Sequence, residues 1–140
     1  MSTKRSLRIA TDLGELERIQ AAVEELEQEA GWTPDFVYQV NLALEELVVN
    51  VINYGHGGDP NHEIEVVFDW DADRLTIEMV DDAPAFNPLE DAPDPDLASE
   101  LEERHVGGLG IYLVHTLMDE LNYRRERDRN HLTLIKRVKG

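Results

Sequence analysis

Asn41-Leu42-Ala43-Leu44-Glu45-Glu46-Leu47-Val48-Val49-Asn50-Val51-Ile52-Asn53-Tyr54-Gly55 reads as the greater part of one helix. Just upstream, Thr33-Pro34 supplies an N-cap hydroxyl and a proline at the first helical position. Phe36, Val40, Leu44, Leu47, Val48 and Val51 recur at helical spacing and make one apolar face. Gly55 and Gly57-Gly58 stop the helix, which is expected from 34 to about 54. Glu46 and Asn50 lie four apart, Asn53 follows three later, and Gln39 shares the line, so a polar stripe runs beside the apolar face. Two readings stay open for it. It is a solvated helix edge, or it is a working edge. In the second case Glu46 polarises an attacking hydroxyl as general base, and the side-chain oxygen of Asn50 ligates Mg²⁺.

Around this helix the chain divides into short elements. Residues 6–10 alternate as a strand. Asp12, three before Glu15, resembles a capping box, and Leu13, Leu16, Ile19, Val23 and Leu26 carry a first helix to Gly31. After the second helix, Ile64, Val66, Phe68 and Trp70 alternate, as do Leu75, Ile77 and Met79, with a turn at 71–73. Residues 83–106 are acidic and Pro-rich, a lid-like loop with a short helical piece at 96–104. Gly107-Gly108-Leu109-Gly110 opens a third helix, 111 to about 121. Strands at 122–128 and 131–138 close the chain, turning at Asp128-Arg129-Asn130. The expectation is one domain over residues 1–140. It is an α/β (α+β) two-layer sandwich, with helices on one face of a mostly antiparallel sheet.

Composition narrows the partners. The net charge is −17, which repels a nucleic acid backbone and excludes direct DNA or RNA binding. No apolar run is long enough to span a membrane, and no signal stretch follows the basic Met1–Arg5 segment. With no cysteine, disulfides and thiolate metal sites are excluded. A cytoplasmic location is expected. His56, His62, His105, His115 and His131 lack zinc-ligand spacing, and Trp32 and Trp70 read as packing residues. Arg124, Arg125, Arg127 and Arg129 read as charges guarding an edge strand and its turn.

Two further segments carry chemistry. Asp81-Asp82-Ala83-Pro84-Ala85-Phe86 follows a strand directly. A carboxylate at a strand end accepts hydrogen bonds from an exocyclic purine amine; an acidic turn is the plainer alternative. At Gly107–Gly110 the backbone can approach a ligand closely, and the helix start offers free N–H groups to phosphate. The pattern is neither a Rossmann nor a Walker loop.

Taken in order, the Glu46–Asn50 helix, the Asp81 strand end and the Gly107–Gly110 helix start resemble the N, G1 and G2 boxes of the Bergerat (GHKL) ATPase superfamily, histidine kinase-like ATPases. The stretches 41–55 and 107–114 look most like its anti-sigma-factor serine-protein kinases. The resemblance implies Glu46 as the activating base, Asn50 as the Mg²⁺ ligand and Asp81 as the adenine contact. It implies Asn53, Ala83, Ala85, Gly107, Gly108, Leu109 and Gly110 as ATP-site positions, and Arg104 as a phosphate contact. It also implies ATP and Mg²⁺ as cofactors, an anti-anti-sigma (antagonist) protein phosphorylated on serine or threonine, a sigma factor held inactive, and a homodimer through the N-terminal strand. No phospho-acceptor helix precedes the domain, so a complete histidine kinase is not expected. The family's Asp-x-Gly-x-Gly pattern has alanine at both glycine positions, Ala83 and Ala85. If either position needs positive φ, alanine costs about 1 kcal/mol or more. That departure keeps a second function class in view: a nucleotide-binding regulatory module with weak or no phosphoryl transfer.

Overall fold

A computed structural model describes residues 3–55, 57, 59–85, 87 and 113–138. The expected 96–104 helix, Arg104 and the Gly107–Gly110 segment lie outside the described residues. Strand β1 (Thr3–Ala10) leads through a 3₁₀ turn (Leu13–Glu15) into α1 (Leu16–Ala30), then α2 (Pro34–Asn50) and a π-helical turn (Val51–Gly55). Strands β2 (Glu63–Trp70), β3 (Arg74–Asp81), β4 (Glu120–Glu126) and β5 (Arg129–Arg137) complete the sheet. Its order is β1-β2-β3-β5-β4, with every pairing antiparallel. The two-layer expectation holds.

The alternation of the strands decides which face is covered. Ile9 of β1, Ile64, Val66, Phe68 and Trp70 of β2, Leu75, Ile77 and Met79 of β3, and Leu132 and Leu134 of β5 are all buried. They meet the apolar stripes of the helices, led by Ile19, Val23 and Leu26 of α1 and Val40, Leu44, Leu47 and Val48 of α2. Arg5 shares the inward phase of β1 but stands near the rim. Its guanidinium crosses to α1 and meets Glu25 at 2.6 Å and Glu29 at 3.6 Å. Among the described residues no helix is long and apolar enough to cross a membrane.

Helix ends follow local chemistry. Thr33 caps α2 as expected, its hydroxyl accepting from Phe36 N–H at 3.2 Å. Gly31, at φ +72°, closes α1 in the left-handed region that glycine enters without strain. The capping box at Asp12 does not form. Asp12 accepts instead from Gly14 N–H at 3.0 Å, while the Glu15 carboxylate accepts from Ala10 N–H at 3.1 Å and so ties the helix start to the end of β1.

Several boundaries move: β1 begins at Thr3 rather than at residue 6, and α2 gives way to the π turn after Asn50. β4 starts at Glu120, so the third helix does not reach 121; it is helical through 113–117, and Leu121 belongs to the strand. The last hairpin turns at Arg127-Asp128, one residue earlier than read, because Glu126 pairs with Arg129. Both turn residues have positive φ, 53° and 60°, the mark of a two-residue type I′ turn. That backbone suits Asn-Gly far better than Arg-Asp. Arg127→Asn with Asp128→Gly is expected to stabilise the fold by about 1 kcal/mol, read as a higher urea midpoint at unchanged slope. An unchanged or lower midpoint would contradict strain at this turn.

Candidate functional site

The direction of α2 fixes where its polar residues lie. Its first turn packs at the C-terminal end of β5, where the Lys136 ammonium stands 5.6 Å from the centre of the Phe36 ring. Seventeen residues carry the helix roughly 25 Å along the sheet. Its far end therefore lies over the opposite edge of the layer, where β2 begins and β3 ends at Asp81. Ile64 pairs with Asp81 there, and Asp81 with Asn130. Glu46, Asn50 and Asp81 are thus brought to one end of the sandwich.

Asn50 is buried at 2% exposure. Its amide Nδ2 donates to the Glu46 carbonyl at 2.8 Å, which turns Oδ1 away from the backbone; no partner holds that oxygen among the described residues. Glu46 is half-buried one turn earlier. Burial pushes its carboxyl above the ordinary glutamate range, and the neighbouring Glu45 charge pushes the same way. Directly after Asn50 the helix widens into the π turn, a local form found often at functional sites. Asn53 falls inside this turn and is exposed, so it does not continue the buried line of Asn50.

Asp81 is 4% exposed at the end of β3. Its Oδ1 accepts from the Ala83 N–H at 3.0 Å and from Asn130 Nδ2 at 2.9 Å. Its Oδ2 has no partner among the described residues. Ala83 is buried and Ala85 exposed. Among the described residues the only non-glycine positions at positive φ are Arg127 and Asp128, so neither alanine carries backbone strain. The cost foreseen for replacing glycine here does not arise.

Two residues at this site differ from their sequence expectation: Asn130, expected in a turn, and Arg125, expected to guard an edge strand, both belong to the network around Asp81. A third, Tyr123, carries no sequence signal of its own. Asn130 instead lies in β5 on the inward phase shared with Leu132 and Leu134. One signal was available: a polar residue two positions before an alternating apolar pair. Nearby, Thr11 ties two loops together. Its hydroxyl donates to the Asp59 carbonyl at 2.6 Å and accepts from His62 N–H at 3.2 Å. The His62 ring stands between Asp59 at 3.4 Å and Asp82 at 3.2 Å. The segment that follows the π turn is thereby fastened to the residue that follows Asp81.

Two clefts lie elsewhere. One, of about 220 Å³, is lined by Trp32, Phe36, Gln39 and Lys136 at the start of α2. The other, of about 210 Å³, sits on the outer face of the sheet by Arg8, His62, Asp82 and Arg129. Neither includes Glu46, Asn50 or Asp81. Gln39, foreseen on the polar stripe, lines the first cleft and stands apart from the other three.

Comparison with known proteins bears on the family and the fold. The family model described as a histidine kinase-like ATPase domain matches residues 9–136. The serine-protein kinase RsbW of Bacillus subtilis (strain 168) is 30% identical over 96 residues, covering 65% of this chain and 59% of that kinase. RsbW of Bacillus cereus (strain AH187) is 32% identical over 94 residues, covering 65% and 58%. RsbW of Listeria monocytogenes is 27% identical over 96 residues, covering 66% and 60%. The matched spans thus take in about three fifths of each relative's length. Among solved structures, the RsbU and RsbW domains of a Mycobacterium tuberculosis protein match with a TM-score of 0.64 at 13% identity, over 97% of this chain and 32% of that one. That likeness concerns the fold.

The half-buried Glu46 has a consequence for stability. Its folded-state pKa is raised, so its contribution to folding is full below the unfolded value and is lost as pH rises through the folded one. Glu46→Gln removes the burden of an ionised, partly desolvated carboxylate. The variant is expected to melt higher than the parent at about pH 7, with the gap closing towards about pH 4. Thermal melts across that range test this; a gap that does not vary with pH would refute it.

Proposed function

We propose that this chain, which belongs to the histidine kinase-like ATPase domain family, is a Mg-ATP-dependent serine/threonine-protein kinase of the anti-sigma type, phosphorylating an anti-anti-sigma partner and holding a sigma factor inactive. The observation that carries the reading is the pairing of a desolvated Glu46 with a buried Asn50 one turn on, at the same end of the fold as the buried Asp81. The similarity to serine-protein kinases named RsbW supports the choice of serine or threonine chemistry.

The residues fit Mg-ATP. Asn50 keeps an uncharged side-chain oxygen for a hard cation, and its Nδ2 is already used on the Glu46 carbonyl, so the oxygen is oriented by the helix itself. Asp81 keeps one carboxylate oxygen for the adenine amine while the other is held by Ala83 and Asn130. Magnesium, when bound, neutralises phosphate charge in a site otherwise lined by carboxylates. Gly107, Gly108, Leu109 and Gly110 stand as the proposed phosphate cradle, with Arg104 contributing a cation.

In the transfer, the partner's hydroxyl oxygen bonds to the γ-phosphorus as the bond from that phosphorus to the ADP oxygen breaks. The hydroxyl proton passes to the Glu46 carboxylate. A carboxyl raised above its usual range is a better proton acceptor than an exposed one, because its conjugate acid lies nearer the working pH. Asn50 and Asp81 bind and orient, and most of the acceleration comes from such positioning.

The test is direct. The chain is incubated with Mg-ATP and a candidate antagonist protein, and phosphoserine or phosphothreonine is sought by mass spectrometry. Transfer is expected in the parent and about 10²–10⁴-fold slower in Glu46→Gln, with ATP still bound. Nucleotide binding without transfer to any antagonist would replace the kinase with a regulatory binding module. No binding of Mg-ATP at all would end both readings.

A further inference from the structure

We infer that Asn130, held in place by Arg125 and Tyr123, is the positioning residue that sets the Asp81 carboxylate and the loop after it, and so determines selectivity for a 6-aminopurine. The inference rests on the nucleotide-binding reading above. It concerns three residues outside the boxes that suggested that reading, all on the β4–β5 hairpin.

The Asn130 side chain is 4% exposed, and both ends of its amide are held by hydrogen bonds. Nδ2 donates to Asp81 Oδ1 at 2.9 Å, to the Ala83 carbonyl at 3.2 Å and to the Pro84 carbonyl at 3.2 Å. Its Oδ1 accepts from the Tyr123 hydroxyl at 2.5 Å and from Arg125 Nη1 at 3.1 Å. The donor and acceptor roles leave one orientation for the amide. Rotated by half a turn, its oxygen would face three acceptors and its NH₂ would face the Arg125 guanidinium. Arg125 Nη1 also donates to the Ala83 carbonyl at 2.7 Å, so the loop carbonyl is held from two sides.

This network takes the place of a glycine-based loop. With alanine at 83 and 85 and no positive φ at either, the backbone there is set by side chains reaching up from the sheet edge. Asn130 fixes Oδ1 of Asp81, and a carboxylate fixed at one oxygen presents the other in one direction. A presented carboxylate oxygen suits the exocyclic amine of adenine and repels the 6-oxo group of hypoxanthine. A buried acceptor of this kind discriminates sharply, since the wrong partner leaves it unmatched.

The experiment measures binding of Mg-ATP and Mg-ITP to the full chain by calorimetry, in the parent and in Asn130→Asp, Arg125→Gln and Tyr123→Phe. Asn130→Asp keeps the shape but turns a donor into an acceptor facing Asp81. It is expected to lose ATP affinity by about tenfold or more and to bring the ATP-to-ITP ratio towards one. Arg125 is exposed and Tyr123 only partly buried on the edge strand, so their variants burden the fold less than Asn130→Asp does. Each is expected to lower the ratio by about threefold. The ratio separates positioning from mere destabilisation, because a smaller folded fraction weakens both nucleotides equally. A parent that prefers ATP alongside variants that keep its full preference would overturn this inference and leave the kinase reading standing. A parent that binds neither nucleotide would overturn both.

Discussion

A carboxylate taken out of water needs protein donors in place of the solvent it has lost. Asp81 stands at the end of β3 under that constraint, and much of this end of the molecule is arranged around it. The Ala83 N–H and the Asn130 amide supply the donors. Asn130 reaches Asp81 because β5 pairs with β3 in the register that sets the two opposite each other. Register, hairpin turn and loop shape are therefore coupled. A slip of one residue in β5 would send Asn130 to the solvent face and take from Asp81 Oδ1 one of its two donors.

The helix layer answers a second requirement, that polar groups be delivered to the edge of a dry core. α2 buries Val40, Leu44, Leu47 and Val48 against the sheet and turns Glu46 and Asn50 along the margin of that contact. Asn50 is protected enough to be nearly inaccessible, and Glu46 protected enough for its charge to be disfavoured. The π turn then releases the chain from the core, and Thr11 catches it again through Asp59 and His62. The two segments that frame this end of the fold are fastened to each other through His62 and Asp82.

Much of this was legible in the sequence where a local rule has a single outcome. Thr33-Pro34 starts a helix whichever way the sheet is built, and the alternation from Ile64 to Trp70 marks one covered face. Glu46, Asn50 and Asp81 were legible as candidates through spacing and resemblance. Asn130 was not, because Asp128-Arg129-Asn130 has the composition of a turn. Only the pairing of Glu126 with Arg129 shows that the turn ends two residues before Asn130. The π turn was equally hidden, since it differs from an α-helical end by a single shift in backbone hydrogen bonding. Leu121 was misplaced because a short apolar run fits a helix end or a strand start equally well.

The placement of the aromatic residues has an optical consequence. Trp32 and Trp70, the chain's two tryptophans, meet edge to face with ring centres 6.3 Å apart, and Phe36 lies 5.1 Å from Trp32. All three sit where α2 begins, about 25 Å of helix from Asn50. The tryptophan emission of this protein is therefore a gauge of one end of the molecule. It reports melting of the core faithfully and stays nearly silent while events unfold around Asp81, so a flat fluorescence trace on adding a ligand carries no information about whether that ligand has bound.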